Sequence, residues 1–435
     1  MNLHKTVQRA LRSLVMVSLC GVAFTAAAET PAAPDEAAKQ LPLEELRLFA
    51  EVYERIKNAY VEPVDDAKLL QDAVRGMLAG LDPHSNYMDK EEFEALQVHT
   101  SGEFGGLGIE VGMEEPYIRV ITPIDDTPAE RAGVKAGDLI TQLDDQPVAS
   151  MSLEEAINHM RGEPGEPIVL TILREGRDKP IEITVVRDII HVASVKSRII
   201  EPGYGYIRIT QFQVNTGKEL VRQLEELQED GNLDGLVLDL RNNPGGVLQA
   251  AVDVGNAFLS QGTIVYTEGR LPNSDQLFEA NSQTAVPDLP IVVLINGGSA
   301  SASEIVAGAL QDQKRAVIMG TDSFGKGSVQ TILPLAKDRA IKLTTARYFT
   351  PNGRSIQAQG IEPDIEVGNA ELKPLGNGGS HLKERDLSGH LENGQADKDT
   401  MDKRAEEREL LREDFQLFEA VALLKALSIV KLQDQ

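Results

Sequence analysis

At 435 residues the chain is long enough for two to three domains, and a hydrophobic content of 41% suffices for packed cores. Aromatic residues make up only 4%, with no tryptophan, so those cores must be aliphatic. A formal net charge of −25 excludes a general nucleic-acid binder, which needs a basic face toward phosphate, and suits a soluble protein held apart by self-repulsion.

The N-terminus reads as an export signal. His4, Lys5, Arg9 and Arg12 form a basic segment, Leu14 to Phe24 an apolar run, and Ala26-Ala27-Ala28 an A-x-A cleavage site. The apolar run is shorter than the roughly 20 residues a membrane span requires. Residues 1–28 are therefore expected to be a cleaved signal peptide and the mature chain periplasmic, reaching a membrane only through a partner. The single cysteine, Cys20, falls inside this segment and follows Val17-Ser18-Leu19, without the small residue that lipid attachment prefers. A mature chain with no cysteine excludes disulfides, thiol catalysis and cysteine metal sites.

Residues 29–98 are expected to hold a linker and a helical region. Leu43, Leu46, Phe49, Val52, Tyr53, Ile56 and Tyr60 recur at helical spacing, and Asp65 to Ala79 repeats the pattern before Leu81-Asp82-Pro83-His84-Ser85 breaks it. Residues 99–187 alternate short apolar strands with turns. From residue 188 to 368 strands alternate with helices, which predicts crossover units and a largely parallel sheet. Gly235 to Leu240 and Ile291 to Ile295 are continuous apolar runs of the doubly buried kind. Residues 369–404 are Gly- and charge-rich and are expected to be a flexible linker, and 405–435 a helical region over Ala405–Val430. The fold class expected is α/β multidomain: a β-rich unit with short helices attached to an α/β core, with helical terminal regions.

Two motifs carry chemistry. Gly106-Leu107-Gly108-Ile109 ahead of a strand leaves successive N–H groups free to hold a carboxylate, beside an edge that accepts an extended peptide. With Ala132-Gly133-Val134 and Ala136-Gly137-Asp138-Leu139-Ile140 after it, the stretch resembles a PDZ domain. The resemblance implies that Leu107, Gly108 and Ile109 bind a protein C-terminus, with Leu107 and Ile109 bordering an apolar pocket. Further on, the strand Ile291–Ile295 runs into a small-residue turn with Ser301, and Lys326 sits between Gly325 and Gly327. A serine needs a base to become a nucleophile, and lysine serves only where burial lowers its pKa from about 10.4. Phe324, Val329 and Ile332 are available to desolvate it and Gln330 to hold the neutral amine. The amide of Ala302, with one from Gly245 or alternatively Gly246, is placed to form an oxyanion hole.

Spacing alone leaves other readings open. Ser/Ala runs also pack helices closely on strands, and isolated lysines are usually solvated. Gly320 to Lys326 nearly matches a phosphate-binding loop, but Gly327 stands where a hydroxyl is needed and a strand follows instead of a helix. His84, His99, His159 and His191 offer a Ser-His-Asp alternative, with His84 better read as a structural hydrogen-bonding residue, and the histidines are too scattered for a metal site.

Resemblance decides among these. Asn296 to Ile305 resembles the nucleophile motif of the C-terminal processing peptidases, or tail-specific proteases. Gly325 to Gln330 resembles their general-base segment, and Asp239 to Gly246 their oxyanion loop. Tyr60-Val61-Glu62 and Leu81 to Ser85 are similar to their N-terminal region. The family is exported and places a PDZ domain before a Ser/Lys core, covering about Leu41 to Val367 here. The resemblance implies Ser301 as nucleophile, Lys326 as base and Gln330 as its partner, with no cofactor. It also implies gating of the site by the PDZ domain, substrates with apolar C-termini, an adaptor lipoprotein, and cell-wall hydrolases among the substrates. The apolar terminal helices are expected to drive homo-oligomer formation. The competing class is a non-catalytic PDZ scaffold or holdase, which would not need the full Ser301, Lys326, Gln330 and Gly245-Gly246 set.

Overall fold

The computed structural model describes residues 41–433 apart from 178, 230, 232, 282–283, 369 and 371–413. The expected signal peptide, the linker over 369–404 apart from residue 370, and residues 405–413 of the last expected helix lie outside the described residues. The chain divides into two compact units, residues 1–72 and 73–435.

The first unit contributes α1 (Leu43–Ala59), and α2 (Asp66–Ala79) crosses the division. No residue of α1 is buried, and its stripe of Leu46, Phe49, Val52 and Ile56 is exposed. An Arg55–Glu51 pair one turn apart supports the opposite face.

The second unit opens with β1 (Asn86–Met88) and α3 (Lys90–Ser101). A capping box starts α3: Asp89 Oδ1 accepts from Glu92 N at 3.0 Å while Glu92 Oε2 accepts from Asp89 N at 3.0 Å. There follow β2 (Glu103–Gly106), β3 (Ile109–Glu114), β4 (Tyr117–Pro123), α4 (Pro128–Arg131), β5 (Leu139–Leu143), β6 (Gln146–Pro147), α5 (Leu153–Met160), β7 (Pro167–Leu173), β8 (Ile181–Val186) and β9 (Asp188–His191). Strands β3-β4-β5-β7-β8 form an antiparallel sheet with β6 on its β5 flank. Alternation selects the buried residues: Ile118 and Val120 on β4, and Ile168, Leu170 and Ile172 on β7, are fully enclosed. Strands β2 and β9 pair only with each other, so both ends of this β-rich unit leave it together.

The remainder comprises β10 (Val195–Glu201), β11 (Tyr204–Ile209), α6 (Thr216–Glu229), β12 (Gly235–Asp239), α7 (Leu248–Phe258), β13 (Thr263–Gly269), β14 (Gln276–Glu279), β15 (Ile291–Ile295), α8 (Ala302–Asp312), β16 (Val317–Gly320), β17 (Ser328–Leu335), β18 (Arg339–Phe349), β19 (Ile365–Glu366) and α9 (Phe415–Gln433). The central sheet has the order β10-β11-β12-β15-β16-β19 and is parallel except for the β10/β11 pair, as the alternation of strands and helices predicts. Leu236, Leu238, Val293 and Ile295 face α6, α7 and α8 on one side. Val237, Val292, Leu294 and Met319 face α9 on the other. Burial on both faces is why β12 and β15 read as unbroken apolar runs.

The last helix accordingly has work within the chain. Leu417, Ala420, Val421 and Leu424, expected to serve self-association, are buried against the sheet, leaving Phe418, Ile429 and Val430 exposed. An ionic clasp anchors its start: Arg241 Nη2 lies 2.6 Å from Asp414 Oδ2 and 2.6 Å from the enclosed Asp239 Oδ2. A second, antiparallel sheet, β1-β18-β13-β14 with β17 on β18, stands beside the parallel one. Truncation of Leu424 to Ala should lower unfolding stability by about 2–5 kcal/mol, since it opens a cavity under the sheet. Denaturant titration measures this; a loss under about 1 kcal/mol would contradict the placement of α9.

Candidate active site

Strand β15 delivers the chain to a turn whose polar groups are assigned one by one. Ser299 Oγ donates to Leu240 O at 2.8 Å, and Ser303 Oγ donates to Asn243 O at 2.9 Å. Both serines are fully enclosed. Ser301, between them, caps α8 with φ 56° and ψ −114°, a left-handed region that non-glycine residues rarely occupy. Its side chain borders a cavity of about 420 Å³ that is also lined by Ala302, Gly245, Gly246, Lys326 and Gln330. All the residues expected from the sequence as nucleophile, base, base partner and oxyanion donors meet there. A larger groove of about 930 Å³, bordered by Tyr204, Pro287 and Ile429, lies beside α9 and away from these groups.

The oxyanion loop follows β12. Asn243 Oδ1 accepts from Gly245 N at 2.9 Å, while Asn243 Nδ2 donates to Ile209 O at 2.9 Å. The expected Gly245 donor is thus already engaged. The amides of Gly246 and Ala302 have no partner among the described residues. Gly245 is required by space instead: at φ +96° a Cβ would stand 2.7 Å from Ser301 Cβ and 2.6 Å from Ala300 O.

Lys326 is half-buried at the mouth of β17. Burial holds its pKa below 10.5 and nearby Lys342 lowers it further; the carboxylates of Glu304 and Asp82 act against both. His84, near the same amine, is depressed by burial and by the Lys326 charge. Gln330 Nε2 donates to Ser328 Oγ at 2.9 Å and to Thr344 Oγ1 at 3.4 Å. Thr344 Oγ1 in turn donates to Asp82 Oδ1 at 3.2 Å. Gln330 and Lys326 line the same cavity.

Sequence reading missed the residue that joins these parts. Glu304 is 0% exposed, and its carboxylate accepts from Ser301 N at 2.7 Å, Lys326 N at 2.9 Å, Gly325 N at 2.6 Å and Ser323 Oγ at 2.6 Å. Burial raises its pKa, and the four donors oppose that rise. Its signal was present as S-x-x-E, a capping-box pattern starting at Ser301. Tyr348, 2% exposed on β18, also reaches the cavity and had no sequence signal.

In the β-rich unit, Leu107 O accepts from Ala129 N at 2.9 Å, and Gly108 O accepts from Ile124 N at 2.9 Å. In trans peptides this turns the N–H groups of Gly108 and Ile109 the opposite way. A groove of about 280 Å³ is bordered there by Leu107, Gly108, Ile109, Ile157, Met160 and Arg161. Arg161, missed from sequence, stacks 5.3 Å from the Phe104 ring and adds a positive charge to the groove.

Residues 203–367 match the model of peptidase family S41, residues 105–185 that of the PDZ domain, and residues 20–92 that described as the activating protease CtpB N-terminal domain. The arrangement is that of a serine peptidase core carrying a PDZ domain. A carboxy-terminal-processing protease of Bartonella bacilliformis is 48% identical over 391 residues, 89% of this chain and 90% of the relative. A carboxyl-terminal-processing protease of Synechocystis is 40% identical over 72% of this chain and 74% of its own length. Carboxy-terminal processing protease CtpA of Bacillus subtilis is 35% identical, covering 72% and 67%. The chain belongs to the carboxy-terminal processing proteases of peptidase family S41.

Replacing Glu304 by Gln sets an amino group against at least one of the four donors. Turnover should fall by about 100-fold or more, the usual scale for a misplaced reacting group. Steady-state rates on a denatured protein measure this; a rate within threefold of wild type would remove Glu304 from the positioning of the site.

Proposed function

We propose that the protein cleaves polypeptides with a Ser301/Lys326 dyad after capturing their apolar C-termini in the PDZ groove. The supporting observation is that, of three adjacent serines, Ser301 alone borders the cavity with a desolvated lysine. Neutral Lys326 takes the Ser301 proton, Oγ attacks the peptide carbonyl, and the amides of Ala302 and Gly246 receive the oxyanion. Water then hydrolyses the acyl-enzyme with Lys326 again as base. Gly246 takes the role expected of Gly245, because the Gly245 amide is spent on Asn243. Gln330 Oε1 steadies the neutral amine.

Gating by the PDZ domain is supported by α3. The catalytic cavity is lined in part by Leu96, His99 and Thr100 of this helix, and β2 leads from it straight into the PDZ groove. Thr100 O also accepts from Val214 N at 3.1 Å in the core. A peptide docking beside Gly106 and Leu107 therefore bears on the same segment that closes the cavity. The exported location, an adaptor lipoprotein, cell-wall hydrolase substrates, and self-association through the exposed face of α1 complete the proposal.

Ser301→Ala should abolish degradation of a denatured protein while leaving capture of its C-terminus intact. Equal degradation by both forms refutes the dyad, and capture without cleavage by the wild type under every activating condition favours the scaffold reading. C-terminal amidation of the captured peptide should weaken its binding at least tenfold, by fluorescence polarisation.

The pH response has a defined sign. Lys326 works unprotonated with its pKa below 10.5, so activity rises with pH as the proton leaves. The unfolded chain binds that proton more readily, so stability also rises with pH, from the folded pKa up to about 10.4. Lys326→Met should eliminate turnover yet leave the melting temperature at neutral pH equal or higher. A marked loss of stability instead would show that the lysine is held by a partner rather than desolvated.

A further inference from the structure

Among the described residues, three buried side-chain polar atoms lack a hydrogen-bond partner: Tyr348 Oη, Thr350 Oγ1 and Arg354 Nε. Only Tyr348 lines the catalytic cavity. A buried hydroxyl left unpaired is destabilising, and phenylalanine would fill the same volume without that cost. The position is also rigid. Tyr348 N donates to Gly327 O at 3.0 Å, which ties β18 at this residue to the loop carrying Lys326. Ser301 and Lys326 border the same cavity as Tyr348.

We propose that Tyr348 is a catalytic residue whose O–H donates to Ser301 Oγ in the substrate-bound enzyme. This rests on the reading of Ser301 as nucleophile. Catalytic hydrogen bonds commonly align only once substrate is bound. As the peptide carbonyl is attacked, the Ser301 O–H bond breaks and its proton passes to Lys326 Nζ. Tyr348 keeps its own proton and stabilises the negative charge gathering on Oγ. When Oγ bonds to the carbonyl carbon, the charge moves to the carbonyl oxygen and its amide donors. Burial first, and then the negative Glu304, hold the phenol well above its usual pKa, so it remains a neutral donor. Glu304 does not compete for that proton, because its four donors already surround the carboxylate.

The test is Tyr348→Phe in the full chain, read by turnover of a denatured protein, by the rate of Ser301 labelling with a fluorophosphonate, and by melting temperature. Turnover and labelling should both fall about 10- to 100-fold, on the scale of one lost hydrogen bond to a charged group, with KM unchanged. Melting should be equal or higher, because an unpaired buried hydroxyl has been removed. Labelling and turnover at the wild-type rate overturn the proposal, and so does slower turnover with a lowered melting temperature, which would mark Tyr348 as packing. Labelling of the wild type that persists in Ser301→Ala overturns the nucleophile assignment, and with it this role; the two failures are therefore separable.

Discussion

One buried carboxylate holds the site together. Glu304 receives the backbone N–H of Ser301 and those of Gly325 and Lys326, so the turn after β15 and the loop before β17 share one acceptor. It stands in the first turn of α8, where the helix dipole favours negative charge. The Ser301 backbone is strained by about 1–3 kcal/mol, and such conformations persist only where surrounding contacts over-determine them. Glu304, Ser299 and Ser303 provide those contacts.

The scaffold beneath is stiff for reasons of the same kind. The parallel sheet is covered on one face by α6 to α8 and on the other by α9, so β12 and β15 cannot shift without opening a core. At the end of β12 the enclosed Asp239 is neutralised by Arg208 and Arg241, and Arg241 continues to Asp414 at the start of α9. The oxyanion loop leaves the sheet immediately after this cluster. A truncated Arg241 would take away one of the two guanidinium partners of the buried Asp239 and break its link to Asp414.

The site also stores cost. Ser301 is strained, Lys326 is desolvated, and Tyr348 carries an unpaired hydroxyl. Each could be relieved by a conservative substitution, and each lies on the cavity. That concentration is what a stability–activity trade-off looks like in a fold that is otherwise well satisfied.

Much of this was legible before any coordinates. Continuous apolar runs placed β12 and β15, and helical spacing placed α2, within a residue, because strands enclosed on both faces and amphipathic helices leave local traces. The motifs marked Ser301, Lys326 and the glycine loop for the same reason, since each depends on short-range backbone geometry. The antiparallel sheet of β17 and β18 left a weaker trace, as its strands are half-exposed and carry Lys342 and Arg347. The apolar stripe of the last helix was visible, but what it covers was not: Leu417 and Leu424 meet β12, some 180 residues earlier, only after folding. Likewise no local pattern tells that Ser299 and Ser303 spend their hydroxyls on Leu240 and Asn243, or that Tyr348 enters the cavity beside Ser301. Residue types and spacing name the groups able to react. Which of them remain unpaired, desolvated and facing one cavity depends on partners 20 to 100 residues away, and only the tertiary structure decides that.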